Sequence, residues 1–228
     1  MTFIIVDCCR DFSTMLTDPD FVLLLISFSL QVGMSWALAS VIGQLVQPCG
    51  YADNLVGQAL LITATAGTIG SFCLAYVLRS NHHNYFFIYK LLIVSTMMMC
   101  MICFSVNKPG GPYLVLMSWM LYGLSTGPLT PVALELAAEM TYPIPADNSA
   151  TLLFCVAIGV YFLCTVMLTP LLHVDVSVHC YSIVTPASIT VILLSIIGTS
   201  IAIPMKPLFK RKDMAAKERA NRNITAIL

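Results

Sequence analysis

A chain of 228 residues with 58% apolar and only 10% charged side chains, at a mean hydropathy of +0.88, lacks the surface of a water-soluble domain, which carries about 25% charged residues. Eleven Lys and Arg balance eleven Asp and Glu, and that even balance points to no nucleic-acid partner.

The first twenty residues carry Asp7, Arg10, Asp11, Asp18 and Asp20, and their only apolar run, Phe3 to Val6, is too short for a signal peptide. They read as a cytosolic segment, with Cys8 and Cys9 as candidate acylation sites. Six apolar segments then follow, each near the ~20 residues that cover a hydrocarbon core of about 30 Å. They are Phe21–Val46, Leu55–Leu78, Tyr85–Val106, Tyr113–Ala138, Thr151–Leu172 and Ile183–Ile203. No charge interrupts the middle of any of them; Lys90 and Glu135 lie close enough to an end to reach an interface. The breaks hold turn residues, among them Gln47-Pro48-Cys49-Gly50, Lys108-Pro109-Gly110-Gly111-Pro112 and Pro143-Ile144-Pro145. Pro186 falls in the first turn of the last helix, where its missing N–H matters little. The expected fold is an all-α integral membrane protein: residues 21–205 form a six-helix domain arranged as a 3+3 repeat, and 206–228 form a basic cytosolic tail.

Orientation follows from the cations. With the N-terminus inside, the cytosolic segments hold Arg10, Arg79, Lys90 and the tail residues Lys206, Lys210, Arg211, Lys212, Lys217, Arg219 and Arg222, whereas the outer loops hold Lys108 alone. Both termini are therefore expected in the cytosol. Cys49 and Cys180 then share the outer side, where a disulfide is open to them. Cys73, Cys100, Cys103, Cys155 and Cys164 fall in apolar runs and read as small hydrophobes. Cys100 and Cys103 have no second pair and no His at ligand spacing, so no metal or other cofactor is expected.

The first helix of each set of three is the one most broken by Gly, Pro and polar groups, which is the sequence pointer to a solute site in secondary transporters. Gln31 and Ser35 share a helix face, Trp36 adds an aromatic surface, and Tyr122 and Thr126 lie beside Gly127 and Pro131 in the fourth segment. The same Gly, Ser and Thr residues also suit plain helix packing. Glu135 and Glu139 belong at the cytosolic rim, Glu135 about 33 Å along the helix from Tyr113 at about 1.5 Å per residue and Glu139 about one turn further, in a gating or pairing role. His82 and His83 read as polar loop residues. No hydrolase triad, phosphate-binding loop or metal-protease helix is present, so no enzyme is expected.

The residues Thr126-Gly127, Pro131 and the run Glu135-Leu136-Ala137-Ala138-Glu139-Met140-Thr141-Tyr142-Pro143 resemble a helix of the feline leukaemia virus subgroup C receptor-related family. That family is a branch of the major facilitator superfamily and includes the disrupted-in-renal-carcinoma proteins. Leu23-Leu24-Leu25-Ile26-Ser27, Val32-Gly33 and Gly70-Ser71 are similar to it as well. The resemblance spans about residues 12–205 and implies helices seven to twelve of a twelve-helix transporter. It implies movement of a small organic solute (choline, ethanolamine or haem), with Trp36 at an aromatic position of helix seven suited to a quaternary ammonium. Two positions depart from the pattern: Ile158 stands where the family has a substrate-facing glutamine, and Arg79 where the superfamily's loop motif has an acid. One half supplies one wall of a facilitator cavity, so the expected partners are the bilayer, the solute, and an N-terminal six-helix half or a full-length relative. The alternative expectation is a truncated, non-transporting membrane protein that binds or regulates such a relative. The plasma membrane is the expected address, with lysosomal and mitochondrial membranes open.

Overall fold

The structure is a computed structural model that describes residues 2–46, 49–80, 85–107, 111–175 and 185–206, with 2–9, 79–80 and 173–175 described by backbone alone. The described residues form eight helices and no strands: α1 (Thr2–Thr17), α2 (Pro19–Val46), α3 (Asp53–Ser80), α4 (Tyr85–Val106), α5 (Pro112–Thr126), α6 (Leu129–Thr141), α7 (Ala146–Asp175) and α8 (Pro186–Ala202).

Local chemistry sets several of these starts. The Asp20 N–H donates to Asp18 Oδ1 at 3.2 Å, so a carboxylate caps α2 just before Pro19. Thr185 does the same for α8, its hydroxyl oxygen accepting from Ser188 N at 3.2 Å ahead of Pro186. The segment before Asp18, expected only as a cytosolic stretch, is the helix α1. The fourth expected segment, Tyr113–Ala138, is two helices rather than one. Pro128 and Pro131 lack the N–H groups that would reach the carbonyls four residues back, so the ladder opens there. Gly127 (φ −56°, ψ −53°) and Pro128 (φ −66°, ψ −19°) nevertheless keep right-handed helical dihedrals, and α5 and α6 form one broken rod.

Four helices are long and apolar enough to cross a membrane: α2, α3, α4 and α7. α8 has 17 residues, about 25 Å at about 1.5 Å per residue, and α5 and α6 are each shorter still.

Two core clusters divide the molecule lengthwise. One gathers the starts of α2, α4 and α7 with the ends of α3 and α8 and all of α6, around Phe21, Phe28, Tyr89, Leu136 and Leu153. The other gathers the ends of α2, α4 and α7 with the starts of α3 and α8 and α5, around Met34, Ile42, Cys100, Trp119 and Leu168. Each rod therefore enters from one cluster and leaves through the other, and successive rods alternate in direction. α2 is the hub and packs most extensively on α7 and then α8; the α5–α6 rod packs on α3 and α4, and α4 meets α8.

The two largest contacts both depend on missing side chains. A Cβ on Gly33 would stand 2.7 Å from Ala157 O, so α2 and α7 touch backbone to backbone. Gly123 and Gly127 likewise lie against the backbones of Thr63 and Gly67, which lets α3 seat on α5 by the small-residue packing common between membrane helices. Polar clasps close the first end. Lys90 Nζ donates to Ile203 O at 2.6 Å and Met205 O at 3.1 Å, satisfying carbonyls at the end of α8. Lys206 N donates to Asp20 Oδ1 at 3.1 Å, and Asn148 Nδ2 to Asp11 Oδ2 at 2.9 Å, which ties α1 to α7. At the second end Asn107 Nδ2 donates to Leu45 O at 3.0 Å and Gly111 N to the Tyr51 hydroxyl at 3.1 Å.

Cys49, also at the second end, is disulfide-bonded; the expected pairing with Cys180 falls outside the described residues. His82, His83, Lys108, the tail from residue 207 and the side chains of Cys8, Cys9 and Arg79 also lie outside them.

The outward faces of the rods are apolar. Phe72, Phe87, Tyr113, Phe162 and Ile196 are all exposed, one on each of five helices. Exposed apolar area on this scale has no place in water and marks a surface for lipid or protein.

Candidate functional site: a groove between α2, α3 and the α5–α6 rod

A groove of about 580 Å³ runs where α2, α3 and the broken rod meet. α2 contributes Ser35 and Trp36, α3 contributes Thr63, Gly67, Thr68 and Ser71, and the rod contributes Trp119, Tyr122, Thr126, Gly127 and Thr130. Among the described residues no charged side chain lines it. Both tryptophans of the chain do.

The wall is held in place by its own contacts. The Trp36 indole lies parallel to the Phe154 ring, 6.3 Å between centroids and 3° between planes, with Tyr161 edge-on at 6.5 Å. Trp36 still keeps 38% of its surface exposed, so α7 orients the ring and leaves a face for the groove. Trp119 and Tyr122 meet edge to face at 5.7 Å. The Tyr122 hydroxyl donates to Ser35 Oγ at 2.8 Å, and Ser35 donates in turn to Gln31 O at 2.7 Å, so one short relay joins the rod to α2 beneath the groove. The Thr63 hydroxyl reaches both Ala59 O at 2.7 Å and Trp119 O at 3.2 Å, joining α3 to α5.

Of the residues singled out from sequence, Ser35, Trp36, Tyr122, Thr126 and Gly127 come together in this groove. Gln31 does not join them. It is 1% exposed, and its amide nitrogen donates to Ser195 O and Thr199 Oγ1, both at 3.2 Å. It bonds α2 to α8, none of whose described residues lines the groove. Glu135 and Pro131 line a second cavity of about 280 Å³ with Tyr85, Leu74 and Ser71. Ser71 lines both cavities, so the second lies beside the first, toward the end where α4 begins. Glu139, near the end of α6, is buried. Ile158, a departure from the family pattern, is exposed on α7.

The contribution of α3 escapes a reading that looks for broken helices, because nothing breaks α3. The available signal was its periodicity: Thr63, Gly67 and Ser71 recur at helical spacing and place a small and hydroxylated stripe on one face. Among the described residues no group of three or more His, Cys, Asp or Glu could hold a metal ion. No family model matches the chain, and no curated protein matches it.

Proposed function

We propose that this chain is a six-pass membrane protein whose groove forms one wall of a passage for a small organic solute, in the manner of one half of a major facilitator transporter. The observation that carries the reading is the groove itself. It lies between the first rods of two successive sets of three, is lined among the described residues by aromatic, hydroxylated and aliphatic side chains without charge, and borders a second cavity toward one end.

The packing supports a 3+3 arrangement. In the first set α2 packs on the second and third rods of the other set, α7 and α8; the α5–α6 rod returns this by packing on α3 and α4. Such exchange is what two repeats related by a pseudo-two-fold axis produce. The alternation of rods between two core clusters supports six passes. In that count the rod α5–α6 and the short α8 serve as spans, the end of α8 closed by Lys90. The disulfide at Cys49 supports an outward second end, since disulfides persist on the oxidising side of a membrane. This agrees with the ten cations counted on the other side. The acid-lined second cavity then opens toward the cytosol. A second six-helix unit, or a full-length relative, would face the groove and complete the passage. The resemblance to the haem and choline transporter family is part of this proposal.

Substituted-cysteine labelling tests the reading in membranes. Ser35→Cys and Thr126→Cys should react with a hydrophilic methanethiosulfonate reagent, and Phe162→Cys and Ile196→Cys, on outward apolar faces, should not. Equal protection of all four positions would refute a water-accessible path. Transport is tested by loading vesicles with the chain and its complementary half and following radiolabelled solute; no uptake above empty vesicles for any solute of the implied class would refute it.

A further inference from the structure

A separate groove of about 240 Å³ lies at the first end of the bundle, between α1 and the turn that joins α6 to α7. Met15, Met140, Tyr142 and Ile144 line it with apolar surface, and Asp11 and Asp18 line it with carboxylates. Among the described residues no cationic side chain lines it. The end of α8 brings the chain to the same place. Met205 shares a core cluster with Met15, and the Lys206 N–H donates to Asp20 Oδ1 at 3.1 Å. The Asp20 N–H in turn donates to Asp18, on the groove wall, at 3.2 Å. The chain after Lys206 therefore starts beside the acidic side of the groove. It continues as Pro207-Leu208-Phe209-Lys210-Arg211-Lys212, an apolar pair and then three cations, and residues 207–228 together hold six cations against two acids.

We infer that this groove is the docking site of the chain's own basic tail, with Leu208 and Phe209 against the methionines and Lys210, Arg211 and Lys212 along Asp11 and Asp18. The reach is sufficient. Phe209 is three residues beyond Lys206, about 10 Å of extended chain at about 3.3 Å per residue. Asp11 is seven residues from Asp18, about 10 Å along α1, a span that residues 209–212 cover. The two kinds of lining do different work. Exposed ion pairs contribute little on their own, so the apolar pair on deformable methionines supplies the hold and the charges fix the register. Anionic lipid competes for the same cations, but the Lys206 bond to Asp20 anchors the tail beside the groove and makes docking intramolecular. So seated, the tail ties α1, the α6–α7 turn and the end of α8 into one cap. None of this depends on a solute passing between α2, α3 and the broken rod.

Photocrosslinking of the full chain tests this. Phe209 is replaced by p-benzoylphenylalanine, and the protein is irradiated in nanodiscs of phosphatidylcholine alone and of phosphatidylcholine with phosphatidylserine. Peptide mapping should find the main adduct within the same chain, on Met15, Met140 or residues 142–144, in both lipids. Lys210→Glu with Arg211→Glu should lower its yield at least fivefold. The same change of charge further along, Lys217→Glu with Arg219→Glu, should alter it less than twofold. Thr14→Lys, at an exposed position on the groove wall, should also lower it at least fivefold. The tail variants leave every described helix untouched, so a loss in them is not a failure to fold. Adducts chiefly on lipid that rise with phosphatidylserine would make the tail a membrane-surface segment and overturn the inference. Adducts elsewhere on the chain or between two copies, or a yield unmoved by the 210/211 reversal, would overturn it as well.

Discussion

Gly127→Ala isolates the contact on which the groove's geometry depends. A Cβ at this position would fall on the backbone of Gly67, at 2.5 Å from both its carbonyl carbon and its Cα. Carbon atoms in van der Waals contact sit about 3.5–4.0 Å apart, so α3 and α5 must part by about 1 Å or more. That movement takes the Thr63 hydroxyl, now 3.2 Å from Trp119 O, beyond hydrogen-bond range. Overpacking of this kind costs about 1–3 kcal/mol, and the lost bond adds about 1 kcal/mol. The gain in helix propensity from replacing glycine, about 1 kcal/mol, offsets part of it. The expected net loss is about 1–3 kcal/mol, measured by reversible unfolding in mixed detergent micelles. Gly57→Ala and Gly159→Ala are the controls, since a Cβ at either would meet nothing within 4 Å; both should be neutral or slightly stabilising. If Gly127→Ala behaves like the controls, the backbone contact between α3 and α5 is not what holds the groove together.

Tyr122→Phe removes the hydroxyl that bridges the rod to Ser35 and should destabilise by about 1 kcal/mol, with a changed Trp119 emission because the two rings are in contact; unaltered stability and spectrum would count against the relay. Lys90→Met deletes both bonds to the end of α8 together with the ammonium's contact on the Phe86 ring. Hydrogen exchange at residues 203–206 should then accelerate by at least tenfold, and unchanged protection would show that the clasp is idle. Cys49 should be refractory to maleimide in unfolded, unreduced protein and reactive after reduction, whereas Cys73, Cys100, Cys103, Cys155 and Cys164 label without reductant. Labelling of Cys49 before reduction would remove the argument for an outward second end.

How much of this was legible in the sequence depends on which interaction decides each feature. Burial in lipid is decided by runs of apolar residues, so α4 lies where its run predicts, and α2, α3 and α7 differ from theirs by a few residues at the ends. Backbone chemistry is partly legible: the prolines at 128 and 131 were visible, but whether they end a helix or only open its ladder depends on dihedrals that residue types do not state. Side-chain direction is the least legible. Gln31 and Ser35 share a face by spacing, yet the Gln31 amide turns to α8 and the Ser35 hydroxyl meets Tyr122. The neighbour available to each decides this, and the neighbours come from helices more than 80 residues away in sequence. Glycine in α2 and in the broken rod was ambiguous for the same reason. Its spacing suits either a ligand or a helix, and the contacts of Gly33 and Gly127 with opposing backbones give them to packing. Gly127 lines the groove as well, so in this molecule the close approach of two helices and the shape of the candidate site are one feature with one cause.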